Sequence, residues 1–172
     1  MANISKTSSP EQQSKAALLR TVKSSDIDEV ALSDCVGLFV EVDRAIARRQ
    51  DTSSAILERL SHHSDKIVRQ AVAGHHNILS EDLMRLGKQF PDAFLSNPAL
   101  DLILIENPGL LLNINESLLV QIAKRDACPE VFLKWATRQG SEQVLMAIAM
   151  NPSTPVELLQ QLLVSEFKTV QD

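Results

Sequence analysis

The sequence predicts an all-α chain, a short right-handed α-solenoid of about five helical-hairpin repeats with a period of about 25–26 residues. Three observations carry that expectation. Aromatic residues make up only 3% of the chain, with no Tyr and five Gly, so the core must be built from Leu, Ile, Val and Ala, a palette that suits helix on helix. Apolar residues recur at helical spacing in short segments. Those segments return along the chain as internal repeats.

Four stretches align without gaps: AIARRQDTS from Ala45 to Ser53, AVAGHHNIL from Ala71 to Leu79, QIAKRDACP from Gln121 to Pro129, and AIAMNPSTP from Ala147 to Pro155. Their marker alanines, Ala47, Ala73, Ala123 and Ala149, are 26, 50 and 26 residues apart, so the middle interval is close to two periods. Six residues after each marker, at Ser53, Leu79, Pro129 or Pro155, an apolar stripe opens: Ile56, Leu57 and Leu60; Leu83 and Leu86; Phe132, Leu133 and Ala136; Leu158, Leu159 and Leu162. Each stripe is one buried face of a first type of helix. Proline suits its first turn, which places Thr154 and Cys128 at the expected cap positions.

A shorter stripe precedes each marker: Val42, Ala45 and Ile46; Val68, Ala71 and Val72; Leu118, Gln121 and Ile122; Val144, Ala147 and Ile148. This second type of helix ends in polar turns near Asn77, Asp126 and Asn151–Pro152. Its length leaves α and 3-10 geometry both open. Residues 89–115 break the pattern with three prolines and the steps Asn97–Pro98 and Asn107–Pro108, which predicts three or four brief turns with some 3-10 character. Leu102 to Ile105 has strand-like composition but no partner segment. Ahead of the repeats, Ser9–Pro10 starts a helix through Ala16, Ala17, Leu18, Leu19 and Val22, and a second begins after Ser25 with Ile27, Val30 and Ala31 on its apolar side. The expected organisation is a polar, disordered tail over 1–8 and one domain over 9–166, followed by a C-terminal tail over 167–172. Within that domain, cap helices occupy 9–41 and repeats 42–166.

The unit "helix, short turn, V-R-x-x-V-A-x-N-P-x-T-P, next helix" resembles the leucine-rich repeat variant family and, more loosely, HEAT and armadillo α-solenoids. The likeness is carried by Val68-Arg69-Gln70-Ala71-Val72-Ala73 and by Ala149-Met150-Asn151-Pro152-Ser153-Thr154-Pro155 with Leu158, Leu159 and Leu162. It covers residues 42 to 166 and implies a binding surface rather than a chemistry. Some family members hold an iron–sulfur cluster through cysteines ahead of the repeats; this chain has no such cysteine group, and no cofactor is expected.

Charge and composition narrow the function classes. The net charge is −5, and because residues 1–75 carry ten basic and ten acidic side chains, the whole excess lies beyond them. A general nucleic-acid binder shows the opposite sign. Cys35 and Cys128 stand far apart without metal-ligand spacing, which fits small buried side chains in a reducing compartment. No stretch is long enough and apolar enough for a membrane span, and the start lacks the apolar core of a secretory signal, so a cytoplasmic protein is expected.

The pairs His62–His63 and His75–His76 flank a helix that separates them by about 14 Å, too far for one metal ion to hold both. Cys128 lies at a helix start, but Asp126 opposes its thiolate and its repeat contains no His. No phosphate loop or zinc-protease motif is present, and no enzyme is expected. On stacked helices of the second type, two outward ladders read Asp43, Arg69, Leu119, Leu145 and Arg44, Gln70, Val120, Met146. Polar residues thus give way to apolar ones, which leaves two readings for Leu119, Val120, Leu145 and Met146, as for Trp135: a contact surface for a protein partner or for a second copy in a homodimer, or core over which the irregular centre or the C-terminal tail folds. Trp135 joins them because Arg59, Arg85 and Gln161 hold its equivalent positions. The alternative is a nucleic-acid-binding strip of Arg44, Arg48, Arg49 and Arg69, against which stands self-pairing with Asp43, Asp51 and Asp65.

Overall fold

Short helices follow one another wherever the apolar spacing places them. The computed structural model describes residues 10–126 and 128–169, with twelve α-helices, one 3-10 helix and no strand among the described residues. The expected N-terminal tail lies outside them, and α12 continues to Thr169, into the stretch expected as C-terminal tail. The chain forms two compact units, Met1–Leu86 and Gly87–Asp172.

In the first unit, α1 (Pro10–Thr21) and α2 (Glu29–Asp34) precede α3 (Val40–Ile46), α4 (Ser54–Ser61), α5 (Lys66–Ala73) and α6 (Ser80–Gly87). Helix α1 packs on α3, α3 on α5, and α4 on α5. The predicted stripes form the interior: Val42, Ile46, Ile56, Leu57, Leu60, Val68, Val72, Leu83 and Leu86 are all buried. The second cap helix turns out differently. Val30 faces solvent and Leu32 is its buried residue, because Asp28, not Ser25, caps α2 by accepting from Ala31 N–H and so sets the helix phase. Between α2 and α3 the chain turns at Gly37, whose φ of +89° is open to glycine and strained for other residues.

In the second unit, α7 (Pro91–Leu95), α8 (Leu100–Glu106) and a 3-10 helix (Pro108–Asn113) lead into α9 (Glu116–Ala123), α10 (Glu130–Gln139), α11 (Glu142–Ala149) and α12 (Val156–Thr169). Residues 89–115 are thus three brief turns of helix, one of them 3-10, and Leu102–Ile105 lies within α8 rather than a strand. Helix α11 packs on α9 and α12 on α10. The interior holds Phe94, Leu100, Leu104, Leu111, Ile122, Phe132 and Ile148, all fully enclosed.

Helices of the second type are α-helical throughout, and three of them share a device. Asp65, Asn115 and Ser141 accept from the backbone N–H three residues on, of Val68, Leu118 and Val144. Caps at the first type follow another logic. Ser53 caps α4 at long range (3.5 Å), but Pro129 itself occupies the cap position of α10, and Thr154 does not cap α12. Its hydroxyl instead donates to the Ile148 carbonyl (2.7 Å), as the Thr52 hydroxyl does to the Ile46 carbonyl (2.7 Å). In both places the threonine is buried and adds a second bond to a carbonyl that already accepts a backbone N–H, that of Arg49 or of Asn151.

At three of the four markers the residue two positions on ties its turn to an earlier one, and at the fourth Arg125 pairs with Asp101 (2.8 Å) instead. Arg49 donates to the carbonyls of Val22 and Ser24, His75 to that of Arg49 (2.6 Å), and Asn151 to those of Ala123 (2.6 Å) and Arg125 (2.8 Å). The Asn151 carboxamide oxygen also accepts from Ser153 N–H (2.8 Å). Replacing a buried donor here strands acceptors that water reaches poorly. Asn151→Ala is therefore expected to lower unfolding free energy by about 2–3 kcal/mol in urea titrations, while Ser153→Ala, whose backbone bond survives, stays within about 0.5 kcal/mol of the parent.

Candidate functional site

In the first unit the polar turns form one connected network. The Asp43 side chain is 1% exposed, accepts from the Gly37 N–H (2.8 Å) and faces Nε2 of His63 at 3.2 Å. Nδ1 of His63 accepts from Asp65 N–H (2.9 Å), and Asp65 pairs with Arg44 through two bonds of 3.1 and 2.6 Å. The Arg44 guanidinium is the main cause holding the Asp65 carboxyl at about 2. Arg69 donates to the carbonyls of His63 (2.6 Å) and Ser64 (2.8 Å). An Asp–His pair resembles the orienting half of a catalytic triad, but the far nitrogen of His63 is occupied by a backbone N–H and is not a free base.

The other histidine pair is built the same way. His75 is buried, donates from Nε2 to the Arg49 carbonyl and accepts at Nδ1 from Asn77 N–H (3.0 Å), so its neutral tautomer is fixed; the rings of His75 and His76 stack at 4.8 Å. No cluster of His, Cys, Asp or Glu that could hold a metal ion occurs among the described residues. Burial pushes the Cys128 thiol up to about 12, against the pull of Arg125, and burial also raises that of Cys35. The helix start therefore does not activate Cys128.

Of the four arginines in the expected basic strip, Arg44 and Arg69 are held as described, and Arg49 pairs with Asp51 (2.5 Å) besides its two carbonyls. Of the four, Arg48 alone is exposed, and its side chain makes no hydrogen bond or ion pair among the described residues. The apolar residues separate by ladder position. The first ladder does not face outward: Leu119 is 8% exposed, Asp43 is turned inward, and Arg69 and Leu145 are half-buried. Leu119 is covered because α7 and α11 both pack against α9. The second ladder does reach the surface, with Val120 half-buried and Met146 58% exposed, and Met150 follows one turn later at 77%. Trp135 is half-buried, tilted against Phe132 at 5.9 Å, and its indole nitrogen is enclosed without a hydrogen-bond partner.

Two grooves accompany these surfaces. In the second unit a groove of about 410 Å³ has apolar walls of Ile105, Pro129 and Val131, and its rim charges are already matched, Arg125 with Asp101 (2.8 Å) and Lys134 with Glu130 (2.6 Å). In the first unit a smaller one of about 270 Å³ is lined by Glu58, His62, Glu81 and the Asp82–Arg85 pair, where Asp82 also accepts from the Ser61 hydroxyl (2.9 Å). Sequence reasoning missed these turn-to-turn bonds and the similar turn in the irregular centre at Asn97, a buried side chain that accepts from Ala99 N–H (2.8 Å) as Asn151 does from Ser153. The signal was present as Asn–Pro at both sites. Comparison with family models, curated proteins and solved structures gave no match.

The His75 geometry sets a pH response. Burial, its largest influence, lowers the imidazole below its ordinary value near 6.5, with His76 adding to the shift and the Arg49 carbonyl and Asp51 opposing it. A base depressed in the folded state takes up its proton more readily when unfolded, so its stabilisation is complete above about 6.5 and is lost as pH falls below that value. Protonation would also set an N–H at Nδ1 against the Asn77 N–H. Urea titrations from neutral pH to mild acid should show His75→Asn, which carries the chemistry of position 151, losing less stability than the parent. Equal losses would refute the assignment.

Proposed function

We propose that this chain is a non-catalytic interaction module, and that each unit is a short stack of helical hairpins of the α-solenoid kind, the arrangement implied by the resemblance to the leucine-rich repeat variant family. The packing of α3 on α5, α9 on α11 and α10 on α12, in sequence order, supports the stack. Its partner surface is the exposed face of α11.

The observation that carries the reading is the pair Met146 and Met150. They lie four residues apart on one helix face, and both project into solvent where the first unit places Arg44 and Gln70 at the position of Met146. Methionine is flexible and polarizable and adapts to apolar partner surfaces. Exposed Leu102, Ile105 and Leu112 add apolar surface to the same unit. The groups that a catalytic reading would need are in structural use: His63 and His75 have both ring nitrogens engaged, and the Cys128 thiol is held protonated. The arginines that a nucleic-acid reading would need are engaged as well, in three cases of four.

Affinity capture with the parent protein and with a Met146→Lys, Met150→Lys double variant tests the surface. Both side chains are exposed, so helicity by far-UV circular dichroism should be unchanged. A partner held by the parent should be lost from the variant, and equal recovery by both would remove the reading.

A further inference from the structure

An offset of 26 residues aligns α9 and α10 with α11 and α12, so the earlier repeat shows how each position looks when a later repeat covers it. Ala123, Leu119, Pro129 and Leu133 are buried; of their equivalents, Ala149 and Pro155 are exposed and Leu145 and Leu159 half-buried. Other positions keep their cover: Ile122 and Ile148, Leu118 and Val144, Phe132 and Leu158 are buried in both copies. Exposure is therefore gained at these four positions, and at Leu162 against the buried Ala136, in the later pair of helices, whereas the earlier pair has α11 packed on α9 and α12 on α10. The backbone agrees. The carbonyls of Ala123 and Arg125 receive the Asn151 side chain, whereas no side chain among the described residues donates to the equivalent carbonyls of Ala149 and Asn151.

We propose that this bare end, centred on Ala149 and Pro155, docks a second copy of the same chain, end to end about a twofold axis, so that two C-terminal repeats cover each other. The proposal rests on the stacked-repeat reading above and continues an interface already present between repeats. Charge selects a like partner. Residues 139–163 contain no Lys or Arg and only Glu142 and Glu157 as charged groups, so the face offers a strongly charged partner little to pair with and repels its own copy little. The first unit ends differently, with α1 packed on α3 and Glu11, Gln12, Gln13 and Ser14 exposed along it. A polar cap does not complement an apolar end, which disfavours head-to-tail growth and leaves the closed twofold pair.

Sedimentation equilibrium of the full chain across the micromolar range should show the mass rising from 19.0 kDa toward twice that value. Ala149→Glu and Pro155→Glu each place like charges across the twofold contact and should weaken self-association by about tenfold or more with unchanged far-UV spectra. Leu102→Glu, equally exposed but on α8, should leave it intact. A parent that stays monomeric, a dimer that survives both glutamates, or one lost with Leu102→Glu would overturn the proposal. If the parent is monomeric while Asn151→Ala still loses stability, the repeat stack stands and only self-docking falls; if Asn151→Ala loses none, the stack falls with it.

Discussion

One contact recurs through both units: a side chain in the turn after a marker alanine reaches back about one period to the carbonyls that close an earlier turn. Helices of seven to ten residues such as α3, α9 and α10 are too short to stand alone in water, and each leaves terminal carbonyls unpaired. Apolar stripes bring neighbouring helices together but do not fix how far one slides along the next. The latch does, because a donor of fixed reach meets carbonyls of fixed position. Arginine, histidine and asparagine all serve, which shows that the position selects for a donor at a given distance and not for a charge.

The same bonds explain why so much polar surface is unavailable for other work. Arg44, Arg49 and Arg69 would look in sequence like a phosphate-binding strip, yet each is drawn into a turn by a carboxylate or a carbonyl. Asp43 follows them inward, held by Gly37 and His63. In the second unit the corresponding positions carry Leu119, Val120, Leu145 and Met146, so packing takes over from polar bonding there and leaves Met146 at the surface.

Helix order was legible because the stripes are strongly periodic: the expected starts at Ser53, Leu79, Pro129 and Pro155 each fall next to the first residue of α4, α6, α10 and α12. The turns were less so. Asn97 splits the central 50 residues into intervals of 22 and 28 between His75 and Arg125, and an alignment that allows no gaps passes over it. Thr154 reads as a cap from its neighbours, but a hydroxyl next to a closed helix end finds the nearer carbonyl first. The surface ladders were half legible. Spacing along one helix says which residues share a face, whereas the neighbours packed on α9 include α7 as well as α11, and α7 is an element that no period announces.

Finally, the two thiols bear on how this molecule meets an oxidant. Disulfide exchange and sulfenate formation both proceed through the thiolate, and burial suppresses that form at Cys35 and, more strongly, at Cys128. Both thiols are therefore slow partners for peroxide or a disulfide while the chain is folded. A cysteine engineered at an exposed position would form its thiolate more readily than either, which makes it the natural attachment point for a fluorophore or a cross-linker.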